Sequence, residues 1–141
     1  MHYWINVISK DHATAGAEGG FIQASQDKAA MLRLLHRDDV VFSYSPGTRF
    51  RAGEILQAFT AVARVTGDSS YQVGTAARVH SWRVSAAFLP YEEALIEPLV
   101  PQMDFIEDKP NWTASLRRGM FEIGEPDAHR IAQAMKADLG R

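Results

Sequence analysis

Cysteine is absent from the 141-residue sequence. A chain without cysteine cannot form a disulfide scaffold, a thiolate zinc site or an iron–sulfur cluster, and it has no thiol nucleophile. An excess of positive charge is also lacking, because 15 Lys and Arg residues stand against 17 Asp and Glu residues, for a formal net charge of −2. Proteins that grip duplex nucleic acid by charge alone are usually basic overall. Any nucleic-acid binding must therefore use a local patch or a pocket.

Long hydrophobic runs are missing as well. No apolar stretch approaches the ~20 residues that cross a bilayer, and residues 1–6 lack the basic start and apolar core of a signal peptide. We therefore expect a complete cytoplasmic protein without membrane association. Hydrophobic residues make up 46% and charged residues 23% of the sequence, a composition typical of a folded globular protein. The length predicts a single domain over residues 1–141, and the sequence does not define an oligomeric state.

Motifs for the common catalytic chemistries are absent too. The sequence contains no G-x-S-x-G nucleophile elbow, no phosphate-binding P-loop and no H-E-x-x-H zinc motif, and its five histidines are scattered. Ser9, Asp11 and His12 suggest a catalytic triad, but neighbours in sequence rarely converge in this way, because triads are assembled in space. We therefore predict no catalytic residue, no metal site and no cofactor.

Short strands and helices are indicated by the hydrophobic pattern. Alternation over 3–8 predicts a first strand, and residues 10–18 predict a helix that ends at Gly19 and Gly20. Further strands are predicted over 40–45, 55–65, 79–89 and 119–123, and further helices over 28–36 (capped by Asp27), 98–103 and from Pro126 to Leu139, with Gly140 just beyond. The second strand is predicted to end at Ser45-Pro46-Gly47. This order favours an α+β fold with one curled sheet and helices at its ends.

Several residues are of the types that build a base-recognition pocket. An aromatic ring that stacks on a base contributes about 1–3 kcal/mol, and Asn or Ser side chains can read the polar edge of the base. Trp4 lies in a predicted strand, where a tryptophan is more often part of the core. Trp112 lies in a loop rich in Pro and Asn, where a large apolar ring is less expected. Arg117 and Arg118 are of the type best suited to clamp phosphate.

Ordered blocks along the chain resemble a known family. The blocks are YWINVISKDH at 3–12, GGFIQ at 19–23, FSYSP at 42–46, LQAFTAVARV at 56–65, FIEDK at 105–109 with Trp112, and RRGMFEI at 117–123. Together they are similar to the EVE domain, from residue 2 to about residue 136. The resemblance implies a PUA-like fold, a small curled β-barrel with peripheral helices, related to the YTH and ASCH domains. It also implies a non-catalytic module that recognises a modified base of RNA or DNA in an aromatic-lined pocket.

The same resemblance implies which residues form the site. The residues expected to line the base pocket are Trp4, Asn6, Ser9, Gly20, Phe21, Gln23, Tyr44, Ser45 and Trp112. Those expected to contact phosphate are Lys10, Lys28, Arg117 and Arg118. The chain departs from the family pattern at Gln26-Asp27, where many relatives have His-Gly, and at Trp82-Arg83, where an Arg-Arg pair is usual. These departures weaken the positive charge expected at the rim of the pocket.

Two alternatives stay open at the level of sequence. One is a small enzyme that acts on a nucleotide or nucleobase through an acid/base pair such as Asp11 with His12, which a turnover screen would reveal. The other is a protein-interaction accessory of a modification or defence system. That alternative predicts an exposed apolar patch in place of a concave pocket.

Overall fold

A computed structural model describes residues 1–24, 29–49, 52–72 and 82–140 of the chain. The strands are β1 (Tyr3–Val7), β2 (Phe21–Ala24), β3 (Val40–Arg49), β4 (Ala52–Val65), β5 (Tyr71–Gln72), β6 (Trp82–Phe88), β7 (Ala94–Leu95) and β8 (Met120–Ile123). The helices are α1 (Lys10–Gly19), α2 (Ala29–Leu32) and α3 (Glu125–Ala134), with 3₁₀ helices over Glu97–Gln102 and Trp112–Leu116. The predicted α+β class is confirmed. Within the described ranges, no helix is long and apolar enough to span a membrane.

One sheet joins the eight described strands. Its main path runs β2-β6-β4-β3-β1-β8, while β5 pairs with β6 and β7 pairs with β4. Strands β1 and β3 are parallel, and the other described pairings are antiparallel. The sheet is therefore mixed, with β1 near one end of the path and β2 at the other.

The sheet separates two hydrophobic clusters, because successive residues of a strand point to opposite faces. Ile5 and Phe42 belong to the large cluster, which α3 and the two 3₁₀ helices cover. Their chain neighbours Trp4 and Val41 belong to the small cluster. Strands β2 and β6 also contribute side chains to the small cluster. The sheet thus curls around the small cluster until β2 approaches β1.

Helix α1 lies directly against β2 because two glycines permit it. Gly20 ends the helix with a φ of +77°, a left-handed conformation that favours glycine, and its N–H donates to the carbonyl of Gly16 at 2.7 Å. A Cβ on Gly16 would lie 2.5 Å from the carbonyl oxygen of Phe21. The helix can therefore approach β2 this closely only with glycine at that position.

The structure corrects several predicted boundaries. Strand β3 continues to Arg49, past Pro46, where the sequence predicts its end. The pairing with β4 shifts register between Ser45 and Gly47, so Pro46, which has no N–H, occupies an irregular point of the ladder. Helix α2 spans 29–32 and is shorter than predicted, and Asp27 lies outside the described residues. Strands β2, β5 and β7 are not predicted; β5 and β7 have only two residues each, and β2 has four.

Candidate functional site

A narrow cleft lies between α1, β1 and β2, where the two ends of the curled sheet meet. Its lining residues are Asn6, Ile8, His12, Ala13, Gly16, Phe21, Ile22, Gln23, Ser43 and Phe88. The free volume is about 10 Å³, roughly the space of one water molecule. The cleft is therefore closed in this structure, and its walls must separate before a larger molecule can enter.

Two buried polar side chains stand side by side in this cleft. Asn6 of β1 and Ser43 of β3 are register partners, and each is 6% exposed. The Nδ2 atom of Asn6 donates to the carbonyl of Gln23 across the cleft at 3.3 Å. The rest of the lining is mostly apolar. A mostly apolar wall with a few fixed polar groups is the usual composition of a small-molecule site.

Ser9, Asp11 and His12 organise the first turn of α1. The hydroxyl of Ser9 donates to Oδ1 of Asp11 at 2.5 Å, and the backbone N–H of His12 donates to the same oxygen at 2.9 Å. The hydrogen bond from Ser9 lowers the pKa of Asp11. In a Ser-His-Asp triad the serine hydroxyl donates to the imidazole instead. The arrangement at Ser9 is therefore not that of an activated nucleophile.

Trp4 lies in the small cluster and not in the cleft. Its ring is only 6% exposed, and its Nε1 donates to Oδ2 of Asp39 at 3.1 Å. Asp39 also accepts hydrogen bonds from the backbone N–H groups of His2 and His36, at 2.9 and 3.0 Å. The stacking role implied by the resemblance does not fit this placement, because the ring is buried and its N–H is already bound.

Tyr44 and Ser45 are also buried, behind the cleft. Burial raises the pKa of Tyr44 to about 12, and its ring packs against that of Phe59 with centroids 5.6 Å apart. The hydroxyl of Ser45 donates to the carbonyl of Ile8 at 2.6 Å and lies 2.7 Å from that of Thr60. Both expected pocket residues thus support the structure around the cleft, and Ser45 does so by holding Ile8, which lines it.

Trp112 is separated from the cleft by the sheet. Its half-buried ring packs against the large cluster, whereas Asn6 lies on the face of the small cluster. Of the expected base-pocket residues, the structure brings Asn6, Phe21 and Gln23 together in the cleft. Gly20 shapes the adjoining turn without lining it. The aromatic rings among the lining residues are Phe21 and Phe88, apart from the imidazole of His12.

Lys10 is close to the cleft, but a neighbouring carboxylate offsets its positive charge. Its Nζ lies 2.6 Å from Oε2 of Glu93. The hydrogen bond and charge of that carboxylate raise the pKa of Lys10. The positive charge expected to attract phosphate is thus largely offset. Lys28, another expected phosphate contact, lies outside the described residues.

Arg117 and Arg118 lie just before β8. Both are exposed, and neither forms an ion pair within the described part of the chain. The Arg118 guanidinium lies over the Phe121 ring, 4.0 Å from its centroid. Met120, the next residue but one, pairs with Asn6 of β1. The arginine pair therefore lies near the end of β1 that borders the cleft, but Phe121 belongs to the large cluster, so the Arg118 guanidinium lies on the face of the sheet opposite to the cleft.

Sequence reasoning does not assign Ser43 or Phe88 to the site. Ser43 lies inside the FSYSP block at 42–46, which resembles the EVE domain. Its position opposite Asn6 depends on the parallel pairing of β1 with β3. Phe88 comes from β6, more than eighty residues away in the chain from Asn6. A residue-type pattern contains no signal for such a meeting.

A larger groove of about 420 Å³ lies beside the N-terminus, β8 and the start of α3. There, Nδ1 of His2 lies 2.5 Å from a Glu122 oxygen, and Nε2 of His129 lies 3.3 Å from a Glu125 oxygen. None of the expected base or phosphate residues lines this groove, and its carboxylates would repel a phosphate. Among the described residues no group of three or more His, Asp or Glu side chains is arranged to hold a metal ion. The cleft at Asn6 is therefore the stronger candidate.

Comparisons with known proteins cover nearly the whole chain. The sequence profile described as the EVE domain matches residues 2–134. A protein from Mycolicibacterium gilvum, named as a UPF0310 protein, is 42% identical over 139 residues, which is 99% of each chain. A UPF0310 protein from Mycobacterium avium is 42% identical over 96% of this chain and 98% of its own.

Two solved structures share the fold at low sequence identity. A crystal structure of an Agrobacterium tumefaciens protein matches with a TM-score of 0.61 and 14% identity, covering 94% of this chain and 92% of that one. An NMR structure of a Rhodopseudomonas palustris protein matches with a TM-score of 0.58 and 9% identity, covering 96% and 94%. At these identities the likeness concerns the fold alone.

Proposed function

Since the chain belongs to the EVE domain family and has the α+β, PUA-like fold, we propose that it binds nucleic acid and receives a modified base in the cleft between α1, β1 and β2. The proposed activity is recognition without chemistry. The observation that carries it is the buried pair of Asn6 and Ser43 within a mostly apolar cleft. RNA and DNA share the chemistry on which this proposal depends.

The polar pair supplies groups that can read the edge of a base. The amide of Asn6 has two donors and an acceptor oxygen, of which one donor contacts Gln23. The Ser43 hydroxyl adds a group that can donate and accept. Unstacked bases are commonly recognised through hydrogen bonds to their exposed edges. The two side chains could therefore fix the orientation of a base between the cleft walls.

The apolar walls favour a base that has an added alkyl group. Ile8, Ala13 and Phe88 present apolar surface to the cleft. Burial of one methyl group contributes about 0.8 kcal/mol, which corresponds to roughly fourfold in affinity. A preference for a methylated base should therefore be modest unless a hydrogen bond is gained as well.

A flanking phosphate would meet Arg117, which is exposed beside the end of β1 that borders the cleft. The base must leave its stack, at a cost of a few kcal/mol that is smaller for a single strand. Single-stranded ligands should therefore bind more tightly than duplexes of the same sequence.

The test is a fluorescence titration of wild-type protein with single-stranded and duplex oligonucleotides. Each is used unmodified and with one methylated or hydroxymethylated base. Asn6→Ala should weaken binding of the preferred ligand by about 5- to 150-fold, because a buried polar contact worth about 1–3 kcal/mol is lost. Asn111→Ala is the matched control, since Asn111 is exposed and makes no side-chain cap hydrogen bond.

Three results would contradict the proposal. Equal binding by Asn6→Ala, with unchanged thermal stability, would remove the cleft from the interaction. Binding that is equal for all oligonucleotides and disappears with added salt would indicate phosphate contact alone. Turnover of a nucleoside or nucleotide by the wild-type protein would show that the protein is an enzyme.

A further inference from the structure

Three polar or aromatic side chains form a row across β5, β6 and β2. Tyr71 pairs with Arg83, and Arg83 pairs with Gln23. Directly opposed residues of antiparallel strands project from the same face of a sheet. Ile22 and Val84, the chain neighbours of Gln23 and Arg83, belong to the small cluster. The row therefore lies on the face that points away from that cluster.

One end of this row meets the cleft. Gln23 lines the cleft, and its Nε2 lies 3.5 Å from the carbonyl of His12 on α1. Neighbouring strands are about 4.8 Å apart, so Tyr71 stands about 10 Å from Gln23 across the sheet. None of the described residues of β2, β5 and β6 is acidic. The row is thus a short path without carboxylates that leads outward from the cleft.

Arg83 has an unused hydrogen-bond donor in the middle of the row. Its guanidinium lies over the ring of Phe21, 3.7 Å from the ring centroid. Its Nε is buried and has no hydrogen-bond partner among the residues that the structure describes. A buried donor without a partner is rare in native proteins and costs about 1–3 kcal/mol. Arg83 is half-buried and forms no ion pair with the described residues, and the planar guanidinium is well suited to hold phosphate oxygens.

Tyr71 provides an exposed aromatic surface at the outer end of the row. Its side chain is 41% exposed, which makes it one of the few large apolar side chains in the described chain that face solvent. A single exposed aromatic residue requires no explanation. An exposed ring one strand away from an unpaired arginine, however, is the combination that proteins use to hold single strands, with rings under bases and cations beside phosphates.

We propose that Tyr71, Arg83 and Gln23 form a track for the nucleotides that flank the base in the cleft. In this track Arg83 binds the phosphate next to that base, and Tyr71 stacks on a neighbouring base. The track rests on the proposed function, because it orients a strand whose recognised base lies in the cleft. It adds affinity that depends on ligand length and not on the modification.

The test compares a mononucleotide that contains the preferred modified base with a single-stranded hexanucleotide that contains the same base. Wild-type protein should bind the hexanucleotide more tightly. Tyr71→Ala should weaken hexanucleotide binding by about 5- to 150-fold, the value of one stacked base, and should change mononucleotide binding less than twofold. Arg83→Gln should weaken hexanucleotide binding and reduce the slope of log affinity against log salt concentration by about 0.7, the value for one single-strand phosphate.

Matched controls exist for both variants. Arg37→Gln removes the same charge from an arginine already bound to Asp68 through two hydrogen bonds of 3.0 Å. Leu95→Ala shortens another exposed apolar side chain, 58% exposed on β7. Both controls should bind the hexanucleotide like wild-type protein. Because Arg83 covers Phe21, thermal stability is measured for each variant, and Tyr71→Ala tests the track without that contact.

The outcomes separate the track from the cleft. If wild-type protein binds both ligands while Tyr71→Ala and Arg83→Gln bind the hexanucleotide normally, the track is wrong and the cleft stands. If wild-type protein binds the hexanucleotide no more tightly than the mononucleotide, the track is also wrong. If wild-type protein binds neither ligand, the proposed function fails.

Discussion

Replacing Trp4 by phenylalanine separates a packing role for this residue from a ligand-stacking role. Trp4→Phe keeps an aromatic ring but removes the Nε1 donor, which lies 3.1 Å from Oδ2 of Asp39. A hydrogen bond to a charged acceptor contributes about 1.5–3 kcal/mol, and the length of this one favours the lower part of that range. The smaller ring leaves a void that adds about 1 kcal/mol. The expected loss in the free energy of unfolding is therefore about 2.5–3 kcal/mol.

Urea and thermal denaturation measure this loss directly. For a chain of this length, about 3–4 °C in melting temperature corresponds to 1 kcal/mol, so we expect a decrease of about 8–12 °C. Oligonucleotide affinity, measured at a temperature at which the variant is folded, should equal that of wild-type protein. Trp82→Phe is the matched control, because Trp82 is a half-buried tryptophan packed against the same small cluster, without a side-chain hydrogen bond in the described part of the chain. It should lose about 1 kcal/mol, for packing alone.

One pattern would refute this reasoning. If Trp4→Phe melts like wild-type protein but no longer binds nucleic acid, the ring contacts ligand and its burial here does not describe the bound state. The double variant Trp4→Phe/Asp39→Asn provides a further check. Because both changes disrupt the same hydrogen bond, their effects on the free energy of unfolding should not add.

Two other predictions concern charge. Burial raises the pKa of Tyr44 to about 12, so between about pH 10 and pH 12 the unfolded chain releases a proton that the folded chain keeps, and the free energy of unfolding should fall as pH rises. Urea denaturation at pH 9 and pH 11 should show a smaller loss of stability for Tyr44→Phe than for wild-type protein. Equal losses would contradict the assignment. Glu93→Gln removes the carboxylate 2.6 Å from the Nζ of Lys10. Oligonucleotide affinity should therefore rise, and the slope of log affinity against log salt concentration should steepen by about 0.7. An unchanged slope in the same titration would exclude Lys10 from contact with phosphate.

The parts of the fold that follow from local pattern are the ones that sequence reasoning predicts well. β1, α1 and β8 each combine a clear periodicity with a cap or turn residue, and the structure places them within one or two residues of their predicted bounds. Helix α3 begins as predicted but ends at Ala134, five residues before its predicted end at Leu139. The end of β3 is predicted wrongly because Pro46 normally stops a strand, whereas the register shift beside it removes the need for its N–H. Whether the hydrogen-bond ladder is regular at Pro46 depends on the residues of β4, which the local sequence around Pro46 does not contain.

The site is less predictable for the same reason. Asn6, Phe21 and Gln23 reach the cleft together because they lie in two adjoining blocks that α1 connects. The burial of Trp4 depends on Asp39, 35 positions further along the chain. The unpaired Nε of Arg83 becomes visible only when β6 is placed beside β2. Residue type identifies candidate groups, but the pairing of distant strands decides which of them face one another.

Strands β1 and β2 meet through a side-chain hydrogen bond between Asn6 and Gln23, and not through a ladder of backbone hydrogen bonds. In the described chain, each of these strands pairs with other strands, and the hydrogen bond from Nδ2 of Asn6 to the carbonyl of Gln23, at 3.3 Å, joins them. Opening a ladder would break several backbone hydrogen bonds, whereas separating β1 from β2 breaks this side-chain hydrogen bond, worth about 0.5–1.5 kcal/mol net, in addition to the packing contacts of the small cluster. Asn6, which makes this hydrogen bond, is also the side chain proposed to recognise the base. Under the proposed function, a base that binds the amide of Asn6 would therefore also release the hydrogen bond that joins the two strands.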